Sequence, residues 1–464
     1  MLIHRKIHFE ISERKVLLRI FDIVSVFLAL YLVGIVFDFD YFKIGRDNYY
    51  WLIVLGFYIS LFGAVFEMYN LQVANKQYEV IRSILLTSST TVLFYLLTPF
   101  YTPMLPNNRL QIIYFFLSIL LALFLWRMIY LYFFGSLRFV KKVILVCDSN
   151  QAEELIIGLE NADPHYKVLG YIDSDIENKI ATKNNIHKIN IEHLEKFVSK
   201  HSVSEIVIAS QNTEGITISL YNKLLHLLEN GFVIREYTKV YEHTAQRIPV
   251  QYVARDFYRY FPFSRSNQNT LYLLWIQIVE YTISFVGLLI TGLLIPFILI
   301  GNFLGKSRGS LFYIQERVGK NGEIFKIHKF RTMIEKAESH GAVFAVQNDI
   351  RITPFGKFLR KTRIDELPQF INILKGEMGI IGPRPERPVF VKEISEIMPF
   401  YETRHIIKPG LTGWAQVNYS YGESIEDSLI KLQYDLYYIK HRSIFLDINI
   451  VIKTISTVLF YRGQ

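Results

Sequence analysis

Four apolar runs open the chain, at 16–37, 50–69, 83–103 and 110–134, separated by short polar interruptions. Each is close to the ~20 residues a helix needs to cross a bilayer. Aromatic residues near several ends (Tyr49, Tyr50, Trp51, Trp126, Tyr130, Tyr132) stand where an interfacial belt would. Arg5, Lys6, Arg14, Lys15 and Arg19 flank the first run, and Arg138, Lys141 and Lys142 follow the fourth. Positive charge marks the cytoplasmic side, so residues 1–135 read as a four-helix transmembrane bundle with both ends in the cytoplasm. The start is polar and basic and the first run is long for a signal sequence, so no cleaved leader is expected. A buried bundle in a soluble protein is the alternative.

From 136 to 245 the pattern alternates. Lys142–Val146, Val168–Ile172, Glu205–Ala209 and Phe232–Glu236 read as short buried strands, with helices over 151–161, 191–201 and 221–229. Strands alternating with helices predict a parallel sheet. The glycine-rich dinucleotide turn belongs directly after the first strand, where Cys147-Asp148-Ser149-Asn150 stands instead. The expectation is a degenerate Rossmann-like α/β domain with a structural or regulatory role rather than a nicotinamide site.

Residues 246–271 are polar, basic and aromatic and read as a connector. The next apolar run, about 276–301, contains Pro296, which removes a backbone donor and should bend a helix. Arg255, Arg259 and Arg265 precede it and Lys306 and Arg308 follow, so both flanks read as cytoplasmic. A re-entrant membrane helix over 272–304, bent at Pro296, satisfies both observations. A straight fifth crossing is the alternative. Residues 305–464 read as a mixed α/β domain. Between 301 and 363 there are thirteen Lys or Arg against five Asp or Glu, an excess suited to lipid headgroups and phosphates. The last stretch, 444–460, is apolar but broken by Asp447 and Lys453, the pattern of an interfacial helix.

Composition agrees with a membrane protein: 51% hydrophobic, 20% charged and a mean hydropathy of +0.23, where soluble domains are nearer a quarter charged. The net charge of +9 suits anionic lipid, phosphorylated substrate or nucleic acid without choosing among them. The single cysteine, Cys147, excludes an internal disulfide and a multi-cysteine metal site.

The chemistry concentrates at Leu359-Arg360-Lys361-Thr362-Arg363-Ile364-Asp365-Glu366-Leu367-Pro368-Gln369. Cations beside two adjacent carboxylates favour their ionised form. An ionised aspartate is a nucleophile for phosphorus, and a second carboxylate can help hold Mg²⁺ through oxygen. Alone, the pair is weak evidence and reads more often as an acidic helix start. It does not stand alone. Gln315-Glu316-Arg317-Val318-Gly319 and Lys329-Phe330-Arg331-Thr332-Met333 precede it. Gly382-Pro383-Arg384-Pro385-Glu386, the run Lys408-Pro409-Gly410-Leu411-Thr412-Gly413-Trp414-Ala415-Gln416-Val417-Asn418, and Tyr434-Asp435-Leu436-Tyr437-Tyr438-Ile439 follow.

This ordered set closely resembles the bacterial sugar transferase family, the monotopic phosphoglycosyl transferases, over about 272–464. With the four apolar runs and the α/β domain in front, the chain resembles the long form, the polyprenyl-phosphate hexose-1-phosphate transferases. The resemblance implies that Asp365 attacks the sugar-bearing phosphorus of a UDP-sugar and UMP leaves. The phosphosugar-aspartate then passes its group to undecaprenyl phosphate. Glu366 would join Asp365 in supporting Mg²⁺ (or Mn²⁺). Arg384, between the rigid Pro383 and Pro385, would contact phosphate. Arg317, Lys329, Arg331, Arg360 and Arg363 are further cationic candidates, each with surface or lipid contact as the alternative. Trp414 either packs in the core, which is favoured, or stacks on uracil.

The implied setting is the bacterial inner membrane, with the catalytic domain on the cytoplasmic face and the product entering a surface polysaccharide such as capsule, exopolysaccharide or O-antigen. The implied partners are UDP-sugar, undecaprenyl phosphate and membrane lipids, with a homodimer open and nucleic acid not expected; glucose or galactose is the favoured sugar. Three positions depart from the family's pattern. Gln277 and Glu280 replace a basic pair and aspartate at the helix start, Ile295 replaces a serine before Pro296, and Tyr419-Ser420 replaces Gly-Arg. The rival readings are a membrane-anchored nucleotide-sugar epimerase or dehydrogenase, a non-catalytic scaffold and, last, a transporter.

Overall fold

The computed structural model describes residues 11–37, 39, 41–42, 48–69, 77–134, 140–148, 151–163, 166–173, 187–209, 217–249, 267, 269–305, 309–334, 349–398, 400–419 and 424–459. The chain divides into two compact units, Met1–Ala245 and Gln246–Gln464. Most of the expected connector, with Arg255, Arg259 and Arg265, and also Arg138, Lys306 and Arg308, lies outside the described residues.

The first unit begins with helices α1 (Ile11–Val36), α2 (Tyr49–Val65), α3 (Gln77–Leu97) and α4 (Leu110–Phe134). α1, α3 and α4 contain spans long and apolar enough to cross a membrane. α2 has 17 residues, about 26 Å at 1.5 Å per residue, because the chain turns at Phe66 and folds Tyr69 back against Gly63. α3 stops at Leu97, ahead of Thr98-Pro99, as the steric restriction before proline requires. Asp22 and Arg127 meet inside the bundle: Arg127 Nη2 donates to Asp22 Oδ2 at 2.7 Å, with both side chains buried. The pair joins α1 to α4 at a depth where an isolated charge would be costly.

The α/β part contains β1 (Lys141–Cys147), α5 (Ala152–Ala162), β2 (Tyr166–Asp173), α6 (Leu194–His201), β3 (Glu205–Ile208), α7 (Ile218–Glu229), β4 (Val233–Glu236) and α8 (Tyr237–Ala245). The sheet is parallel, in the order β2-β1-β3-β4, with Val143 opposite Val168 and Glu205. Val143 to Cys147 are all buried, the signature of a central strand covered on both faces. Ile144, Val146, Ile172 and Ile206 pack with Leu194, Leu220 and Leu224. At the carboxyl edge of β2, Lys188 occupies the Asp173 carboxylate at 2.6 Å.

The second unit is organised around α9 (Thr270–Leu304), a 35-residue helix that Pro296 does not interrupt. At about 52 Å it exceeds the ~30 Å hydrocarbon core. Its start is capped by Asn269, whose side chain accepts from Tyr272 N at 3.2 Å. Glu280, one of the departures from the family pattern, ties the helix to the domain by accepting from Ile380 N at 3.0 Å. Two glycines let the helix lie directly on the domain: Gly287 faces the Phe370 ring and Gly301 the Phe355 ring, and a Cβ at either would overlap them. Ile298 packs with Phe330 and Leu359.

Beyond α9 come a hairpin, β5 (Phe312–Val318) with β6 (Ile324–Phe330), then α10 (Pro354–Lys361), a 3-10 turn (Ile364–Gln369) and α11 (Phe370–Leu374). β7 (Gly379–Ile381) pairs in parallel with β8 (Gly410–Thr412). Around them lie α12 (Pro388–Ile397), a 3-10 turn (Tyr401–Ile406), α13 (Trp414–Asn418), α14 (Ile425–His441) and α15 (Ile444–Leu459). Ser424 and Asp427 form a reciprocal capping box that starts α14. Trp414, Tyr401, Tyr438, Leu432, Leu436 and Ile450 make the main core. Trp414 is thus a core residue, its indole N–H donating to Gln246 O at 2.9 Å.

Candidate active site

The acidic pair is placed by three successive local devices. Thr353 caps α10, accepting from Gly356 N at 3.0 Å, with Pro354 at the first helical position. α10 ends at Lys361, and Arg363 then takes left-handed backbone angles (φ 59°), a conformation uncommon outside glycine. That reversal swings the chain into the 3-10 turn carrying Asp365 and Glu366, both buried. Asn372, in α11 directly after the turn, ties that helix to β6. It donates to Lys326 O and Glu377 Oε2, both at 2.7 Å, and accepts from His328 N at 3.1 Å.

One carboxylate oxygen gathers three cations. Glu366 Oε1 lies 3.3 Å from Lys329 Nζ, 3.4 Å from Arg363 Nη1 and 3.1 Å from Arg384 Nη2. Lys329 comes from β6, Arg363 from the reversal, and Arg384 from the loop after β7. The Glu366 side chain is 9% exposed and that of Arg384 is 40% exposed, so the carboxylate is sealed while the guanidinium keeps a face open to a ligand.

The two acids are pushed in opposite directions. Burial raises Glu366, but Lys329, Arg384 and Arg363 overcome it and hold the group far below the usual carboxylate range. Asp365 is pushed up to about 6, first by burial and then by the charge of Glu366, against Lys329, Arg360 and Arg363. The surrounding cations thus favour ionisation of both acids; at Glu366, where the close contacts fall, they prevail, and at Asp365 burial and the neighbouring Glu366 charge outweigh them.

Asp365 Oδ1 is buried and takes no hydrogen bond among the described residues. No cluster of three or more His, Cys, Asp or Glu stands among those residues, so the donor set on offer is two carboxylates. That suits a hard divalent cation such as Mg²⁺, which binds oxygen and shares its shell with water and substrate phosphates. It does not suit a closed four-ligand site.

The other sequence-derived cations separate into near and remote. Arg360 Nε donates to Thr332 Oγ1 at 2.9 Å and contributes to the field at Asp365. Arg317 is one step removed: it donates to Pro385 O at 3.0 Å and Gln315 Oε1 at 2.6 Å and lies 3.6 Å from Glu386. It braces the Pro383-Arg384-Pro385 loop. Arg331 is not brought to the pair; it donates to Ser310 O and Oγ at 3.0 and 2.8 Å. Sequence reasoning did not single out Arg404 or Asn372 and quoted Asp435 only within a motif.

Comparison with known proteins matches residues 271–461 to the bacterial sugar transferase family model and 64–233 to a CoA-binding domain model. One relative is a UDP-N-acetylgalactosamine-undecaprenyl-phosphate N-acetylgalactosaminephosphotransferase of Aeromonas hydrophila, 51% identical over 154 residues, 33% of this chain and 36% of the relative. Another is a UDP-glucose:undecaprenyl-phosphate glucose-1-phosphate transferase of Xanthomonas campestris pv. campestris, 45% identical over 157 residues, 33% of this chain and 32% of the relative. The match thus spans about a third of the length of each. A third is a putative undecaprenyl-phosphate N-acetylgalactosaminyl 1-phosphate transferase of Bacillus subtilis (strain 168), 42% identical over 144 residues, 31% of this chain and 79% of the relative.

Proposed function

This chain belongs to the bacterial sugar transferase family, and on that premise we propose that it moves a sugar-1-phosphate from a UDP-sugar to undecaprenyl phosphate. Asp365 attacks the sugar-bearing phosphorus; the bond to UMP breaks and a phosphosugar-aspartate forms. A phosphate oxygen of undecaprenyl phosphate then attacks the same phosphorus, freeing the Asp365 carboxylate and leaving undecaprenyl diphosphate-sugar. The observation that carries this reading is the unpartnered buried oxygen of Asp365 beside a carboxylate that gathers three cations. Phosphoryl transfer asks chiefly for position and charge stabilisation, and Arg384, Arg363 and Lys329 provide both. Mg²⁺ or Mn²⁺ held by Asp365 and Glu366 would supply further charge neutralisation on the diphosphate.

The membrane reading belongs to the same proposal. α9 dips into the bilayer and re-emerges on the same face through a bend at Pro296 within its unbroken helical run, because Pro296 has no N–H to offer the Gly292 carbonyl. The basic flanks on both sides support this path. The carboxyl-terminal unit then lies on the cytoplasmic face of the inner membrane, where nucleotide sugars are. The parallel sheet of residues 141–236 is a Rossmann-like domain without a working dinucleotide turn and serves a structural or regulatory role.

The test is UMP release by the full-length protein in detergent with undecaprenyl phosphate, Mg²⁺ and a panel containing UDP-glucose, UDP-galactose and UDP-N-acetylgalactosamine. Release with one sugar, lost on chelation and in Asp365→Asn, is the expected result. Release that survives Asp365→Asn removes the nucleophile. Silence across the panel from folded protein removes the donor class.

A further inference from the structure

The backbone that carries Arg384 is anchored at four consecutive carbonyls. Pro383 O accepts from Gly410 N at 2.9 Å, Arg384 O from Arg404 Nη2 at 3.0 Å, Pro385 O from Arg317 Nη1 at 3.0 Å, and Glu386 O from Val318 N at 2.9 Å. The anchor on Arg384 itself comes from a side chain 20 residues away. The Arg404 and Asp435 side chains are 4% and 2% exposed, with Arg404 Nη2 lying 2.8 Å from Asp435 Oδ2. Arg404 Nη1 donates to the Tyr401 hydroxyl, and its guanidinium carbon sits 4.9 Å from the Tyr401 ring centroid.

A buried ion pair is a poor means of gaining stability, because desolvating two charges offsets most of their attraction. It is a good means of giving a guanidinium one orientation, and this one points an N–H at the Arg384 carbonyl. We propose that Arg404 and Asp435 are positioning residues: the ion pair between α14 and the Tyr401–Ile406 turn fixes the Arg384 backbone, so that its guanidinium meets Glu366 and presents its open face to phosphate. The inference rests on the reading of Arg384 as phosphate-facing. It links the Tyr434-Asp435 motif, which the chemistry otherwise leaves unused, to the acidic pair through two residues.

A double-mutant cycle separates this role from a merely structural one. Inorganic pyrophosphate is titrated calorimetrically into the full-length protein, with Arg404→Lys and Asp435→Asn each made in the native and Arg384→Ala backgrounds. Lysine keeps the charge but lacks the rigid second nitrogen that holds the Tyr401 hydroxyl while Nη2 serves both the Asp435 carboxylate and the Arg384 carbonyl. The expected result is about tenfold weaker binding for either variant in the native background, and less than about twofold further loss once Arg384 is gone. The same factor in both backgrounds, or none in either, overturns the proposal, as does a native protein that binds no pyrophosphate. If Asp435→Asn or Arg404→Lys does not fold, the charge-preserving Asp435→Glu carries the cycle, with the same outcomes deciding. UMP release is measured on the same samples. A native protein that binds pyrophosphate with a non-additive cycle yet releases no UMP removes the UDP-sugar donor class of the proposed function and leaves the positioning intact. An active native protein with an additive cycle removes the positioning alone.

Discussion

Asp365→Asn is expected to abolish transfer and, unusually for a buried substitution, to stabilise the protein. The Asp365 carboxyl is buried, one of its oxygens has no hydrogen-bond partner among the described residues, and the charge of Glu366 lies beside it. Together burial and Glu366 raise it from 3.8 to about 6. A carboxyl whose folded value is raised above its unfolded one stabilises the fold below the unfolded value, and that advantage is lost as pH rises through the folded value. At about pH 7.5 the ionised form therefore costs roughly 3 kcal/mol, from ~2.2 units at 1.36 kcal/mol each. Asparagine has the same shape and no charge, and escapes that cost. For a unit of this size 3 kcal/mol corresponds to a rise in Tm of roughly 6–12 °C. The assay is unfolding of the full-length protein in detergent with EDTA present, at about pH 7.5 and about pH 4.5. The gain should shrink to about 1 kcal/mol at the lower pH. Asp365→Asn that is less stable than the native protein, or whose gain does not change with pH, refutes the electrostatic argument even if activity is lost.

Gly287→Leu or Gly301→Leu should overlap the Phe370 or Phe355 ring and cost about 1–3 kcal/mol by overpacking, measured as a lower Tm and faster proteolysis after α9; unchanged values would mean the helix does not lie on the domain. Burial, and then Arg404, lower His405 from 6.5 to about 4. Its contribution is therefore full above the unfolded value and is lost as pH falls from about 6.5 towards 4, so His405→Gln should remove about 2 kcal/mol of the native protein's acid destabilisation at pH ~5. Parallel stability curves for the two proteins would sink that assignment. In the membrane bundle, Arg127→Met leaves Asp22 buried without its partner and should cost about 3–5 kcal/mol. Asp22→Leu with Arg127→Met should recover most of it in thermal unfolding, and a double variant as unstable as the single one would show that the pair is not what the bundle lacks.

Much of the frame was legible because it depends on periodicity and length. Strands at 142–146 and 168–172 are found at Lys141–Cys147 and Tyr166–Asp173, since a run of β-branched and aliphatic residues between turns has few other uses. The second apolar run misled by four residues at its end. Phe66, Met68 and Tyr69 are buried like the helix before them, yet the chain leaves the helix at Phe66, takes left-handed angles at Glu67 and turns back into the bundle. Hydropathy does not distinguish a helical residue from a buried turn.

The site divides along the same line. The sequence by itself determined that Asp365 and Glu366 are adjacent, that cations surround them, and that Arg384 sits between two prolines, because these are facts of covalent order. It could not decide which acid holds the cations, since Lys329, Arg363 and Arg384 converge on Glu366 from three separate segments. Nor could it exclude Arg331, two residues from Lys329, which leans instead on Ser310. The left-handed turn at Arg363 and the reach of Arg404 to the Arg384 carbonyl are likewise products of packing. Residue type and spacing thus state which charges are available. Only the folded chain sets their distances and burial, and it is those that push one carboxylate up, hold the other down, and leave a single oxygen of Asp365 without a partner among the described residues.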